Sequence, residues 1–206
     1  NVAERYGITR EAQDEFAIGS QQKAIAAQDA GKFVEEIVPI TVKVGRKEVL
    51  FDQDEYINRT TTLEKLGTLR TAFKADGTVT AGNASGINDG ASFCVIASEE
   101  AVAKYGLTPM AEMVGIGQGG VEPDVMGLGP VPAIRNALKN AGMALQDMEV
   151  LELNEAFAAQ SLGVVKLISE EHGVDQDTIK SRCNVNGGAI ALGHPVGASG
   201  NRIIVT

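Results

Sequence analysis

The sequence predicts an α/β fold of stacked layers, and three observations carry that expectation. From Ala81 onward, short apolar runs alternate with longer stretches of helical spacing, the pattern of repeated strand-then-helix units. Phe93 to Ala97 is apolar without interruption, which suits a strand covered on both faces. Asn184 to Gly200 is rich in glycine, contains His194-Pro195, and lies between a predicted strand and a predicted helix. Layered α/β proteins place their chemistry in such loops.

Taken in order, residues 9 to 30 read as a helix. Thr9 is placed as N-cap, Glu11 sits in the positive first turn, and Gly31 follows as the stop. Phe16, Ala24 and Ala27 keep helical spacing, so one face is buried. Val38, Ile40, Val42 and Val44 alternate with Pro39, Thr41 and Lys43, the period of a half-exposed strand. Gly45-Arg46 reads as its turn and Val49-Leu50-Phe51 as the returning strand, with Pro39 marking an edge. Residues 52 to 80 are polar, with one short helix expected over Leu63 to Leu69. Residues 1–80 thus read as one lobe and 81–206 as another.

In the second lobe, Ser98 caps a helix that opens with Glu99-Glu100 and ends at Gly106. Met113 to Ile116 reads as a strand, and Pro130 to Gly142 as a helix carrying Ile134, Ala137, Leu138 and Ala141. Val150 to Leu153 is the next strand, followed by a helix from Asn154 to about Glu170. Asn184-Val185-Asn186 reads as a buried strand, and a last helix from Val196 buries Ile203, Ile204 and Val205.

Two residues stand out for chemistry. Pro195 restricts His194 to an extended backbone, because the proline ring crowds the α region of the residue before it. Histidine suits acid–base work, yet His194 could equally close its loop by hydrogen-bonding a carbonyl. Asn154, at a strand-to-helix junction, is either an N-cap or an amide aimed at the end of the sheet. Glu155 reads as a buried structural carboxylate and His172 as a solvated helix end. Cys94 reads as a small buried hydrophobe, and Cys183 as preceding a strand at the end of the sheet away from His194.

Composition removes several classes. A net charge of −9 argues against a nucleic-acid surface, which needs clustered positive charge, while a small anionic ligand stays open. No apolar run is long enough to span a bilayer, and no signal segment opens the chain. Two cysteines give no disulfide framework and point to a reducing cytoplasm. Asn1 in place of an initiator methionine suggests a start inside a longer reading frame.

Asn154-Glu155-Ala156-Phe157 after one predicted strand and Gly193-His194-Pro195 after the next form a specific pair. Ala81-Gly82-Asn83-Ala84-Ser85-Gly86-Ile87-Asn88-Asp89-Gly90 joins them from upstream. Asp54-Glu55-Tyr56-Ile57, Gly77-Thr78-Val79-Thr80 and Val125-Met126-Gly127-Leu128-Gly129-Pro130 extend the set. Together these motifs resemble the thiolases, the acetyl-CoA acetyltransferase family. The resemblance implies a layered α-β-α-β-α thiolase fold, with residues 1–80 the later part of the loop domain and 81–206 most of the C-terminal domain. It implies a thiol-based acyl transfer: reversible Claisen condensation and thiolysis between acetyl-CoA and acetoacetyl-CoA. It further implies CoA thioesters as substrates with no other cofactor and no metal, and a homodimer or homotetramer as the full-length protein.

Residue by residue, His194 matches the histidine that activates the nucleophile and holds a thioester oxygen. Asn154 matches the asparagine that fixes a water beside it. Ser85 resembles the serine that hydrogen-bonds the pantetheine arm, and Met126, Ala156 and Phe157 resemble residues around the acyl and pantetheine pocket. Read without the family, Ser85 is a turn serine, Met126 a gap-filler and Phe157 core. Relatives carry a basic residue after Ile57 for the CoA phosphates; here Asn58 intervenes and Arg59 takes that place. The family's two reactive cysteines, one of them in Cys-x-Gly, map outside residues 1–206. The resemblance therefore implies an incomplete chain, inactive alone. A longer-chain 3-ketoacyl-CoA or 3-oxoadipyl-CoA thiolase is the alternative substrate class, and a non-catalytic CoA-binding or interface module the alternative to an enzyme.

Overall fold

A computed structural model describes residues 1–206. The short helix α1 (Val2–Tyr6) leads into α2 (Arg10–Asp29), where the Thr9 hydroxyl accepts from Ala12 N as the sequence predicts. A two-residue turn at Gly45-Arg46 joins β1 (Ile40–Val44) to β2 (Lys47–Phe51) as an antiparallel hairpin, with Val44 opposite Lys47. Gly45 has φ 61°, a left-handed conformation that glycine adopts without strain. The expectation of a half-exposed hairpin is corrected: apart from Val42, both faces are exposed, because no other element packs on them.

Next come α3 (Leu63–Gly67), whose Leu66 is buried, and α4 (Glu99–Tyr105). The Ser98 hydroxyl accepts from Ala101 N at one end of α4, and left-handed Gly106 closes the other. A 3-10 turn, Pro123–Leu128, runs into α5 (Pro130–Ala141), which left-handed Gly142 ends. Then follow α6 (Ala158–His172), α7 (Gln176–Arg182), α8 (Ala189–Leu192) and α9 (Ser199–Val205).

α6 is the centre. It packs against α1, α2, α5, α7 and the 3-10 turn. Val164, Val165 and Ile168 bury one face among Leu128, Leu145, Leu153, Ile179 and Cys183. A second cluster joins Ala17 of α2, Leu66 of α3, Ala158 of α6 and Ile190 of α8. Packing is therefore continuous across residue 80.

The predicted strands are where the structure departs from expectation. Phe93 to Ala97 pairs with nothing, and Phe93 and Val95 are 88% and 94% exposed. A strand meant to be covered on both faces needs neighbours on both sides, and none of the 206 residues supplies them. Cys94 is consequently exposed rather than buried. Met113 to Ile116 likewise has no strand partner but lies along α5. At Gly115 an added Cβ would come within 2.9 Å of the Ala137 carbonyl and the Ala141 Cβ, and Gly117 and Gly119 meet α5 in the same way. Asn140 and Asn136 of α5 donate to the carbonyls of Ile116 and Gln118 at 2.8 and 2.6 Å.

Only Val150–Leu153 finds a strand-like neighbour. Leu151 and Cys183 form a parallel bridge through Leu151 N to Arg182 O (2.9 Å) and Asn184 N to Leu151 O (2.8 Å). Asn184-Val185-Asn186 is a turn, not a strand. Asn184 is left-handed at φ 47°, a conformation asparagine tolerates better than most residues. Its side chain replaces the next ladder rung: Oδ1 accepts from Leu153 N and Nδ2 donates to Leu153 O, both at 2.8 Å. The last helix begins at Ser199 rather than Val196, and Ile204 and Val205 are exposed.

Candidate active site

Two short segments build the site. After Leu153 the chain runs without helix through Asn154 to Phe157 and enters α6 at Ala158. Asn154 is thus not the N-cap. The first N–H of α6, on Ala158, donates instead to the Asn83 carbonyl at 2.9 Å. Neighbours in this segment serve different partners. Glu155 is 2% exposed and accepts from Ser20 Oγ (2.6 Å), Asn184 Nδ2 (2.7 Å) and Ile190 N (3.2 Å), as a buried structural carboxylate should. Burial pushes this carboxyl above its ordinary range against those three donors. Gly188 fits flat on the carboxylate, leaving no room there for a side chain.

Asn154 meets His194: its Nδ2 lies 3.4 Å from His194 Nε2. Asn154 Oδ1 is buried and takes no hydrogen bond from the protein, so it is free to accept from a ligand or water. His194 Nδ1 lies 2.6 Å from Ser199 Oγ. The His194 backbone N–H is shared between Gly86 O (3.2 Å) and Asn88 Oδ1 (3.3 Å), and Ile87 bridges His194 in parallel. Gly193, at φ 85°, lies against the Asn88 side chain where a Cβ would reach 2.5 Å. The upstream Ala81–Gly90 motif therefore clamps the Gly-His-Pro turn. Sequence reasoning singled out Ser85 there and missed Asn88, which reads as an ordinary turn residue.

Ser85 lies against Ala156: its N–H and its hydroxyl both donate to the Ala156 carbonyl, at 3.0 and 3.1 Å. Asn154, Ala156, Phe157 and Met126 line one cavity of about 1420 Å³, together with Phe73 and Gln160. Phe73 and Phe157 meet edge-to-face at 6.0 Å. Met126 is exposed at its rim. Arg59 is elsewhere: its guanidinium forks onto Asp29 at 2.6 and 3.2 Å and also bonds Gln28. No three His, Cys, Asp or Glu side chains cluster closely enough to hold a metal ion.

The charges favour a neutral imidazole. Burial, then the Arg202 charge, lowers the His194 pKa below its ordinary value. Glu152, on the cavity wall, is pushed up to about 7 by burial, partly offset by Arg202. Neither cysteine faces His194. Cys183 is in the core, where burial and then the nearby Glu155 charge push its thiol up to about 12. Cys94 Sγ donates to Asn201 Oδ1 at 3.0 Å.

A pH effect follows from Glu152. Its pKa is raised on folding, so the stability its neutral form contributes is complete below about pH 4.5 and is lost as pH rises through about 7. Asp54 and Glu155 shift the same way. Glu152→Gln isolates the Glu152 share. Discounted for its partial exposure, that share should raise the melting midpoint at pH 8 by about 2–4 °C and leave it unchanged at pH 4.5. An equal gain at both pH values would show that its ionisation is not the cause.

Comparison with known proteins decides the family. Residues 1–100 match the family model for the thiolase N-terminal domain, and residues 107–206 that for the thiolase C-terminal domain. The chain belongs to the thiolase family. It is 55% identical over 206 residues to an acetyl-CoA acetyltransferase of Escherichia coli (strain K12), covering 100% of this chain and 50% of that protein. It is 52% identical over 206 residues to a beta-ketoadipyl-CoA thiolase of Pseudomonas putida, again with 100% and 50% covered. The crystal structure of the Bacillus anthracis acetyl-CoA acetyltransferase superposes with a TM-score of 0.92 at 48% identity, covering 100% of this chain and 50% of that one. Human mitochondrial 3-ketoacyl-CoA thiolase in complex with CoA gives 0.86 at 48% identity, covering 100% and 49%. The fold is thus that part of the thiolase fold, and this thiolase chain spans about half the length of the curated relatives it matches.

Proposed function

We propose that this chain supplies the histidine and asparagine of a thiolase active site acting on acetyl-CoA and acetoacetyl-CoA. The observation that carries the reading is the 3.4 Å approach of His194 Nε2 to Asn154 Nδ2, Asn154 itself lining the cavity with Ala156, Phe157 and Met126. In this chemistry a neutral His194 takes the proton of a nucleophilic thiol. The thiolate attacks a thioester carbonyl, the enzyme–acyl bond forms and CoA leaves with a proton. The methyl carbon of a second acetyl-CoA gives its proton to the second reactive thiolate, which the resemblance places outside residues 1–206, and attacks the acyl carbonyl; a C–C bond forms, the enzyme C–S bond breaks, and the nucleophilic cysteine leaves as a thiolate. His194, while protonated, donates Nε2–H to the thioester oxygen beside the Asn154 amide, a preorganised pair of the kind oxyanions need. The lowered His194 pKa supports this, because the ring is neutral and able to accept at pH 7.

Ser85 spends its hydroxyl proton on the Ala156 carbonyl, so its oxygen lone pairs suit an amide N–H such as those of pantetheine. Arg59 serves CoA phosphates only by leaving Asp29. Exposed Phe93, Val95 and Ile96 support association in a homodimer or homotetramer, and two unpaired cysteines support a reducing cytoplasm. The Pseudomonas putida relative supports a second substrate reading, 3-oxoadipyl-CoA.

The test replaces the matched stretch of the Escherichia coli enzyme with residues 1–206 and measures CoA-dependent cleavage of both substrates. Cleavage of acetoacetyl-CoA well above that of 3-oxoadipyl-CoA is expected. The reverse order supports the second reading. A folded chimera that cleaves neither overturns both.

A further inference from the structure

The second nitrogen of His194 has a partner that neither the motifs nor the proposed chemistry account for. Ser199 is 3% exposed and opens α9. Its Oγ lies 2.6 Å from His194 Nδ1 and 3.1 Å from the Pro195 carbonyl oxygen. A hydroxyl has one proton to give, and a carbonyl oxygen can only accept. The contact with Pro195 gives that proton an acceptor and leaves Ser199 Oγ lone pairs for the ring, the arrangement in which Nδ1 carries the hydrogen. The opposite edge of the imidazole accommodates either form. The group facing Nε2 is the Asn154 amide, whose nitrogen as oriented meets a lone pair and whose unbonded oxygen, on rotation, would meet an N–H, so the partner of Nδ1 is the one that decides. The hydroxyl is also held in place: Ser199 N and Ala198 N both donate to Pro195 O, at 2.9 and 2.7 Å, and close the turn around it.

We propose that Ser199 is a positioning residue that holds His194 in the Nδ1–H tautomer, with the Nε2 lone pair directed at the Asn154 side. The hydrogen bond made by one ring nitrogen decides which form the other adopts. The inference deepens the thiolase reading and rests on it for its consequence: a base must present an unprotonated nitrogen to the acid it deprotonates.

The experiment is a long-range ¹H–¹⁵N spectrum of ¹⁵N-histidine-labelled residues 1–206 at pH 8. Only two histidines are present, and His172→Gln assigns them. His194 should show a protonated Nδ1 and an unprotonated Nε2. Ser199→Ala should shift it to the Nε2–H form or a mixture, and Ser199→Thr, which keeps the hydroxyl, should restore it. An Nε2–H tautomer in the unaltered chain overturns the proposal, as does an Nδ1–H tautomer that persists in a folded Ser199→Ala. Should the alanine variant not fold, the unaltered chain and the threonine variant still decide it. In the chimera, Ser199→Ala should lower kcat about 10- to 100-fold with KM nearly unchanged, the usual scale for losing an orienting partner. A chimera inactive with Ser199 intact sinks the thiolase reading, while the spectra judge Ser199 by themselves.

Discussion

Glu155→Ala is expected to destabilise the chain by about 3 kcal/mol or more, the largest single loss of stability in the molecule. The carboxylate is the shared acceptor of three buried donors, from α2, the Asn184 turn and α8. Each donor left without a partner costs about 1–3 kcal/mol, so the cost exceeds that of the deleted methylene and carboxyl alone. Glu155→Gln should rescue little. One edge of an amide is NH₂, and it would face either Asn184 Nδ2 or the Ser20 and Ile190 donors. Ser20, which already takes Gly188 N at 3.1 Å, could accept from the amide with its second lone pair only by leaving its own proton without the carboxylate. Urea unfolding of the three proteins is the measurement. An alanine variant within about 1 kcal/mol of the unaltered chain, or a glutamine variant indistinguishable from it, would mean that the carboxylate does not organise the 184–193 loop.

That loop shows what the sequence could and could not disclose. The ends of α2, α4 and α5 were legible because their signals are local: Thr9, Ser98 and Pro130 open them, and Gly106 and Gly142 close the latter two. Strands were not, because a strand depends on a neighbour distant in sequence. Phe93–Ala97 keeps a strand's composition and has no partner, whereas Met113–Ile116 lies on α5 through glycines spaced two apart. The period-two glycines at 115, 117 and 119 were a readable sign of close packing that apolar content obscured. In the candidate site, Asn154 and His194, whose side chains meet, were singled out through motifs. Asn88 and Ser199 were missed because a side chain that touches the backbone or ring of a distant histidine looks, in sequence, like any turn or helix-start residue. The correction at Asn154 is the instructive one. Asparagine before a helix reads as a cap, yet Asn83, far upstream, satisfies the helix and frees Asn154 for His194.

That freedom makes the last prediction sharper. In the chimera, His194→Ala should lower turnover of acetoacetyl-CoA by about 10²–10⁴, the usual worth of a positioned acid–base group, while CoA binding stays nearly unchanged. The histidine touches Asn154 and Ser199, and no phosphate-binding charge depends on it. Asn154→Ala should lower turnover by about 10²–10³, as loss of one preorganised donor does. Had Asn154 been the N-cap of α6, its removal would also have cost about 0.5–2 kcal/mol of stability. With the Ala158 N–H already bonded to Asn83 O, that cost should be absent. The double variant should be little slower than His194→Ala, because residues acting as one unit are strongly non-additive. Stopped assays at saturating CoA, paired with thermal melts of each variant, separate the contributions. Multiplicative losses in the double variant, or activity that falls only as the folded fraction falls, would return both residues to structural roles.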